Sequence, residues 1–89
     1  MSKDDKEHKL DLKVIVSGKE VIVSTNTNAT LRSVAEKALH DTGNVGQDLS
    51  RWEMTTPPGV VLNFDAKVGD AGLKNGDTVL LNPRAGVTG

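Results

Sequence analysis

A single helical pattern lies near the middle of this chain, with short alternating stretches on both sides of it. Its apolar residues recur three or four positions apart and so share one helix face: Leu31, Val34, Ala35, Ala38 and Leu39. Thr30 is suited to cap the start of this helix, and Gly43 is suited to the left-handed position after its end. One helix among several strands predicts a two-layer α+β fold, with the helix packed on one face of a sheet.

The segments around the helix predict a β-hairpin before it and further strands after it. Apolar residues alternate along Leu10–Val16 and again at Val21 and Val23, with a turn at Ser17–Lys19 between the two strands. The later strands are centred on Trp52–Met54, Val60–Leu62 and Thr78–Asn82. A proline pair separates the first two of these, and the Asn75-Gly76 pair turns the chain before the last. The expected product is a mixed sheet of four to five strands.

The length of 89 residues allows one domain. Residues 1–9 are almost wholly polar, and we expect them to form a disordered tail. The folded domain is predicted to span residues 10–82. Because proline cannot donate a hydrogen bond to a neighbouring strand, residues 83–89 are expected to be a flexible tail.

The charge and composition exclude several classes of partner. The formal charge is −1, and acidic and basic residues are mixed without a long run of either sign. Nucleic acid and membranes are therefore not expected partners. No apolar run approaches the roughly 18 residues of a membrane span, and the N-terminus lacks the apolar core of a signal peptide. We therefore expect a cytoplasmic protein, monomeric when free.

Residues that support metal or catalytic chemistry are sparse. The chain has no cysteine, which excludes disulfides, zinc–thiolate sites and thiol catalysis. His8 and His40 are far apart in the sequence, and Asp65, Asp70 and Asp77 match no calcium-binding loop. The sequence therefore predicts no metal site, no cofactor and no enzymatic activity.

Trp52 has two possible roles, as a partner anchor or as a core residue. Exposed tryptophans dominate many interfaces. Trp52 shares a strand face with Met54, however, while Arg51 and Glu53 point to the other face. This alternation favours a packed Trp52.

The order and spacing of the elements resemble ubiquitin from about Leu12 to Thr88. The resemblance is strongest over Leu62-x5-Val68-x-Asp70-x-Gly72-Leu73-x3-Asp77-x-Val79. The Trp52–Met54 strand, the Asn75–Asp77 turn and the ending Leu81–Gly86 look like those of bacterial ubiquitin-like modifiers encoded beside E1-like, E2-like and peptidase genes. The resemblance implies a β-grasp fold and a role as a protein modifier. An anti-phage role is implied by the same gene family.

The resemblance also implies an activation chemistry. An E1-like enzyme adenylates the C-terminal carboxylate of such a modifier, the acyl group passes to an E2-like cysteine, and a target amine accepts it; a peptidase processes or removes the modifier. Gly89 falls at the position of the reactive glycine, with Gly86 as the alternative. Arg84 falls where an activating enzyme reads a tail arginine. Thr88 stands where ubiquitin has the first glycine of its terminal pair.

The positions of ubiquitin's receptor-binding patch are occupied differently in this chain. Glu53 stands at the exposed isoleucine, and Leu80 and Asn82 stand at its neighbours on the last strand, so ordinary ubiquitin receptors are expected to bind poorly. Ile15 and Ile22 are predicted to form a second apolar patch. The residues predicted to contact partners are Arg51, Glu53, Leu80, Asn82 and Arg84.

Two other functions are compatible with the same resemblance. One is a non-conjugated ubiquitin-like binding module of a secretion system, whose members usually end at the last strand. The other is a sulfur carrier, whose tail is also adenylated but ends in Gly-Gly. The Thr88-Gly89 ending argues against the carrier.

Overall fold

The computed structural model describes residues 9–44, 46, 48–57 and 59–84. Within these residues the chain forms one α-helix and a single sheet of five strands. The elements in chain order are β1 (Lys9–Val16), β2 (Lys19–Asn26), α1 (Leu31–Asp41), β3 (Trp52–Thr56), β4 (Val60–Leu62) and β5 (Thr78–Pro83), with a 3₁₀ turn at Leu49–Arg51 before β3. The predicted order of strands and helix is confirmed.

The sheet has the strand order β2-β1-β5-β3-β4. The central pair, β1 and β5, runs parallel, and every other neighbouring pair is antiparallel. This arrangement confirms the mixed sheet and the ubiquitin-like β-grasp predicted from the sequence. The edges of the sheet are β2 and β4.

The hairpin between β1 and β2 closes through a two-residue turn. Val16 pairs with Lys19, which leaves Ser17 and Gly18 as the turn residues, at φ of 48° and 91°. Two successive positive φ angles give the type I′ turn, whose twist matches that of the flanking strands. This turn fixes the register of the hairpin, so that Val21 and Val23 of β2 lie beside Val14 and Leu12 on the inner face of β1.

The helix begins and ends where the sequence predicts. The Thr30 hydroxyl accepts from the backbone N–H of Ser33 at 3.3 Å, and the Ser33 hydroxyl donates to the Thr30 carbonyl at 2.7 Å. At the other end, the Gly43 N–H donates to the backbone carbonyl of His40, and the Asn44 N–H donates to the backbone carbonyl of Leu39. This pair of bonds is a Schellman motif, with Gly43 at φ 84° in the left-handed position.

The start of α1 is held by the connection that follows β4. The N–H of Leu31 donates to the carbonyl oxygen of Ala66 at 2.9 Å, and the N–H of Arg32 donates to that of Phe64 at 2.8 Å. The N–H of Val68 donates back to Ala29 at 2.8 Å. Backbone donors that a helix leaves unpaired in its first turn are thereby satisfied, and the helix is fixed against the sheet.

The hydrophobic core lies between α1 and the inner face of the sheet. Its completely buried residues are Leu12, Val14, Leu31, Ala35, Ala38, Met54, Val68, Val79 and Leu81. Trp52 is only 8% exposed and belongs to this core, so its predicted packing role is confirmed. Each large side chain in such a core contributes roughly 1.5–3 kcal/mol by burial.

The structure extends the folded part of the chain at both ends beyond the predicted limits of 10–82. Lys9 is the first residue of β1 and pairs with Asn26. Pro83 is the last residue of β5 and pairs with Trp52. Proline is tolerated there because its nitrogen faces the side of β1, which has already ended at Val16. The remainder of both predicted tails, residues 1–8 and 85–89, lies outside the described residues.

Candidate partner-binding surface

The outer face of the sheet, opposite α1, contains the candidate surface. Its central row crosses four neighbouring strands, because Ile15 pairs with Leu80, Leu80 with Thr55, and Thr55 with Val61. We call these four residues the outer row. Ile15, Leu80 and Thr55 are half-buried, whereas Val61 is 63% exposed. A mainly apolar row on a solvent-facing side of a sheet is a feature of binding surfaces.

The structure brings together the residues predicted to contact partners, at the start of β3 and the end of β5. Glu53 pairs directly with Asn82, and Leu80 lies two residues along the same strand from Asn82. Asn82 is exposed and Glu53 is half-buried. The side chains of Glu53, Leu80 and Asn82 lie on the outer face, because those of Met54 and Leu81 point into the core.

Arg84 and Arg51 lie together beyond this pair. The backbone N–H of Arg84 donates to the Arg51 carbonyl at 2.8 Å, and its guanidinium Nη1 lies 3.4 Å from the Ser50 carbonyl oxygen. Both arginines are exposed. We call this contact the arginine clamp. It places two positive charges where the chain leaves the sheet, a setting suited to a carboxylate-bearing partner surface.

The predicted apolar patch of Ile15 and Ile22 is interrupted by charge. Ile22 is 54% exposed on β2 and pairs with Lys13, while Ile15 pairs with Glu20. The Lys13 Nζ and Glu20 Oε2 atoms are 3.7 Å apart, so an ion pair crosses the diagonal between the two isoleucines. The patch is therefore divided by polar groups.

Two members of the outer row, Thr55 and Val61, were not among the residues predicted from the sequence. The signal for Val61 was its place in the middle of Val60–Leu62, where alternation directs it away from Leu62. The signal for Thr55 was its spacing of two from Glu53. Neither position is defined before the register between β3, β4 and β5 is known.

A shallow depression of about 400 Å³ lies between α1 and the 3₁₀ turn. Its lining residues are Arg32, Glu36, Asp48, Leu49, Ser50 and Phe64. Beside it, Arg32 Nη2 lies 2.7 Å from Asp65 Oδ1, and this hydrogen-bonded ion pair raises the pKa of Arg32. Asp48 accepts from the Ser50 N–H at 3.0 Å, and this bond lowers the pKa of Asp48. Two of the charged residues that line the depression, Arg32 and Asp48, are thus tied to structural contacts.

The other sequence predictions concern isolated residues and absent groups. His40 is exposed on α1, with its Nδ1 3.5 Å from the Asp41 carboxylate. Among residues 9–44, 46, 48–57 and 59–84, no three His, Asp or Glu side chains are grouped closely enough to hold a metal ion. In the same part of the chain, no helix has the length and apolarity needed to cross a bilayer. Gly86 and Gly89 lie outside the described residues.

A protein-family profile matches residues 5–89. The chain belongs to that family, which is described as Protein of Unknown function (DUF2604). A curated relative, the uncharacterized protein y4jI of Sinorhizobium fredii (strain NBRC 101917 / NGR234), is 40% identical over 81 residues, or 91% of this chain. The match spans 62% of the length of that relative.

Solved structures similar to this DUF2604 chain include a protein designed on ubiquitin and an archaeal ubiquitin. A de novo design based on ubiquitin superposes with a TM-score of 0.74 at 20% identity, covering 91% of this chain and 95% of the design. The ubiquitin of Caldiarchaeum subterraneum gives a TM-score of 0.71 at 18% identity, covering 91% of this chain and all of that protein (100%). At this level of identity the comparison establishes the fold. This fold is shared by proteins of many functions, so it does not by itself specify the function of the chain.

Proposed function

We propose that this protein is a bacterial ubiquitin-like modifier whose tail glycine is activated by an E1-like enzyme, passed to an E2-like cysteine and attached to target proteins. The reactive residue is Gly89, or Gly86 in the alternative. A peptidase processes the tail or removes the modifier from its targets. The protein contributes a recognisable body and a carboxylate, and the partner enzymes supply the chemistry.

The observation that supports this proposal is the arginine clamp at the end of a ubiquitin-like β5. Strand β5 runs through the middle of the sheet between β1 and β3 and ends at Pro83, and Arg84 then bonds to Arg51. The folded body therefore fixes the point at which residues 85–89 begin. An activating enzyme that binds the two arginines and the neighbouring Asn82 is held next to the part of the sequence that contains Gly86 and Gly89.

The proposed reaction balances at each step with ATP as the co-reactant. A carboxylate oxygen of the tail glycine attacks the α-phosphorus of ATP and displaces pyrophosphate. An E1-like cysteine thiolate then attacks the acyl carbon and displaces AMP, and a second thiolate on the E2-like enzyme exchanges with the first. A target amine finally attacks the thioester, loses a proton and releases the thiol.

The test uses the E1-like and E2-like enzymes that this proposal requires, together with ATP. The intact chain is expected to form thiol-sensitive adducts with both enzymes and thiol-resistant adducts with targets. Deletion of Gly89, and Gly86→Ala in parallel, identify the reactive glycine. Arg84→Ala is expected to slow the first step, with Lys74→Ala as an exposed control away from the clamp. If every form of the chain stays free of adducts, the modifier proposal is wrong.

A second function, a non-conjugated binding module, is favoured by the outer row. The row presents Ile15, Leu80 and Val61 on one face, and a receptor can cover it without any use of the tail. A chain that ends after Arg84 retains this surface. Full biological activity of that truncated chain would favour the binding module, and loss of activity together with loss of adducts would favour the modifier.

A further inference from the structure

Strand β4 forms one edge of the sheet and exposes large apolar side chains on both of its faces. Val60 is 56% exposed on the helix side and Val61 is 63% exposed on the outer side, the highest value among the large apolar residues that the structure describes. Beyond β3, β4 has no other strand neighbour within the described part of the chain. An edge of this kind is a template for a further strand.

The backbone of Val61 points to this open edge. In an antiparallel pair, successive residues direct their N–H and C=O groups alternately to the two sides of the strand. The bond from the Arg84 N–H to the Arg51 carbonyl shows that the backbone groups of Arg51 point to β5. By alternation, those of Thr55 do so too. The backbone N–H and C=O groups of residues 54 and 56 therefore point to β4, and those of their partners Leu62 and Val60 point back to β3. The N–H and C=O of Val61, which lies between them, are directed outward.

The sequence around this edge lacks the charges that usually block strand pairing. Residues 54–64 contain no charged residue, although charged residues are 26% of the chain. The opposite edge, β2, has Lys19 and Glu20 near its start. Charged side chains on an edge strand are a common protection against pairing with another molecule. Of the two edges, β4 is the one without that protection.

We propose that β4 pairs in antiparallel orientation with β4 of a second copy of this chain. The two-fold axis passes between the two Val61 residues. Each Val61 then donates its N–H to, and accepts at its C=O from, Val61 of the other copy. Val60 of each copy lies opposite Leu62 of the other, so apolar side chains meet on both faces. A two-fold contact requires one segment to complement itself, and an uncharged strand does so without like-charge repulsion.

The expected association is weak. A three-residue strand provides one reciprocal pair of hydrogen bonds and a contact well below the roughly 1,200 Å² of stable interfaces. At low protein concentration the chain is therefore expected to be the monomer predicted from the sequence. The dimer forms at high concentration or where two copies are tethered. This inference does not depend on conjugation through the tail.

The test is sedimentation equilibrium of the full chain between about 0.05 and 1 mM, with amide NMR shifts recorded over the same range. The expected result is a monomer–dimer equilibrium with concentration-dependent shifts centred on Val60–Leu62. Val61→Lys is expected to raise the dissociation constant about tenfold or more, because it places like charges opposite each other. Ile22→Lys is the matched control, because Ile22 is also an exposed apolar residue (54%) and lies on the other edge strand; it is expected to leave association unchanged.

A second variant separates the backbone from the side-chain charge. Val61→Pro removes the N–H that faces the edge and leaves the bonds to β3 intact, so it is expected to abolish association while the fold persists in the NMR spectrum. A wild-type chain that stays monomeric at the highest concentration overturns the proposal. Association that survives both Val61 variants, or that is lost with Ile22→Lys, also overturns it and assigns the contact to another surface.

Discussion

The backbone N–H of Arg84 lies 2.8 Å from the carbonyl oxygen of Arg51, two residues beyond the pairing of Asn82 with Glu53. The bond continues the β3–β5 ladder past the proline at position 83. It holds Arg84 beside the 3₁₀ turn that precedes Trp52. Arg84, the last of the described residues, is therefore still bound to the sheet.

Truncation on either side of the clamp is expected to have different effects on stability. A chain that ends after Arg84 keeps the clamp, and its free energy of unfolding is expected to match that of the intact chain. A chain that ends after Asn82 loses the Trp52–Pro83 pairing and the bond from Arg84 to Arg51. The expected loss is about 1 kcal/mol, the usual net value of a hydrogen bond, measured by urea unfolding. Equal stability of both truncated chains would contradict a structural role for the clamp.

Leu31→Ala is expected to be strongly destabilising. Leu31 is completely buried at the start of α1, and its truncation leaves a cavity between the helix and the sheet. Such changes cost about 2–5 kcal/mol, a large part of the total stability of a small domain. Glu36→Ala on the exposed face of the same helix is the control and is expected to change stability by less than about 0.5 kcal/mol. Urea unfolding followed by circular dichroism measures both, and similar losses would contradict the packing.

The fold could be predicted from the sequence because its local signals agree with one another. Alternation defined β1 and β2, the helical spacing defined α1, and Thr30 and Gly43 marked the helix ends that the structure has. The sequence places Pro83 in the tail, because a proline inside a strand is usually unfavourable. Its tolerance depends on where the neighbouring β1 ends, which is a property of the assembled sheet.

The candidate surface was less predictable for the same reason. The outward direction of Glu53 and Leu80 follows from alternation within each strand. The outer row, however, requires the register of four strands, and the contact between Arg84 and Arg51 joins residues far apart in the sequence. Local sequence patterns predict neither the register of the four strands nor the contact between the two arginines. The ionic contact between Lys13 and Glu20, which divides the patch of Ile15 and Ile22, is likewise set by the hairpin register.

Thr30→Ala tests the capping of α1. The Thr30 hydroxyl accepts from the Ser33 N–H at the rather long distance of 3.3 Å, so a loss of about 0.5–1 kcal/mol is expected, at the lower end of the range for such caps. Thr30→Ser retains the acceptor oxygen and is expected to retain most of the stability. Urea unfolding of the three chains provides the measurement. If the serine variant loses as much as the alanine variant, the methyl group of Thr30 and not its hydroxyl stabilises the helix start.

Gly43→Ala tests the end of the same helix. Gly43 has φ of 84°, which an alanine adopts only with strain, while the space around its Cα is open. The expected cost is about 1 kcal/mol in urea unfolding, because the penalty comes from the backbone and not from a steric clash. Gly43→Asn is the control, since asparagine tolerates the left-handed conformation better, and it is expected to cost less. Equal losses in the two variants would contradict this explanation.

Asp48 is expected to make the stability of the 3₁₀ turn depend on pH. Its carboxylate accepts from the Ser50 N–H, and this bond lowers the pKa of Asp48 in the folded chain. A carboxyl group with a lowered folded pKa stabilises the fold above its unfolded pKa, and that contribution is lost as the pH falls through the folded pKa. Asp48→Asn keeps an acceptor oxygen but no longer titrates, so it is expected to lose less stability than the wild type between about pH 7 and about pH 3. NMR titration of the Asp48 carboxyl carbon gives the direct measurement. Ser50→Ala leaves the backbone donor in place, so it is expected to remove only part of the lowering of the Asp48 pKa. An Asp48 that titrates at the ordinary aspartate value would show that the bond to Ser50 does not stabilise the charged form.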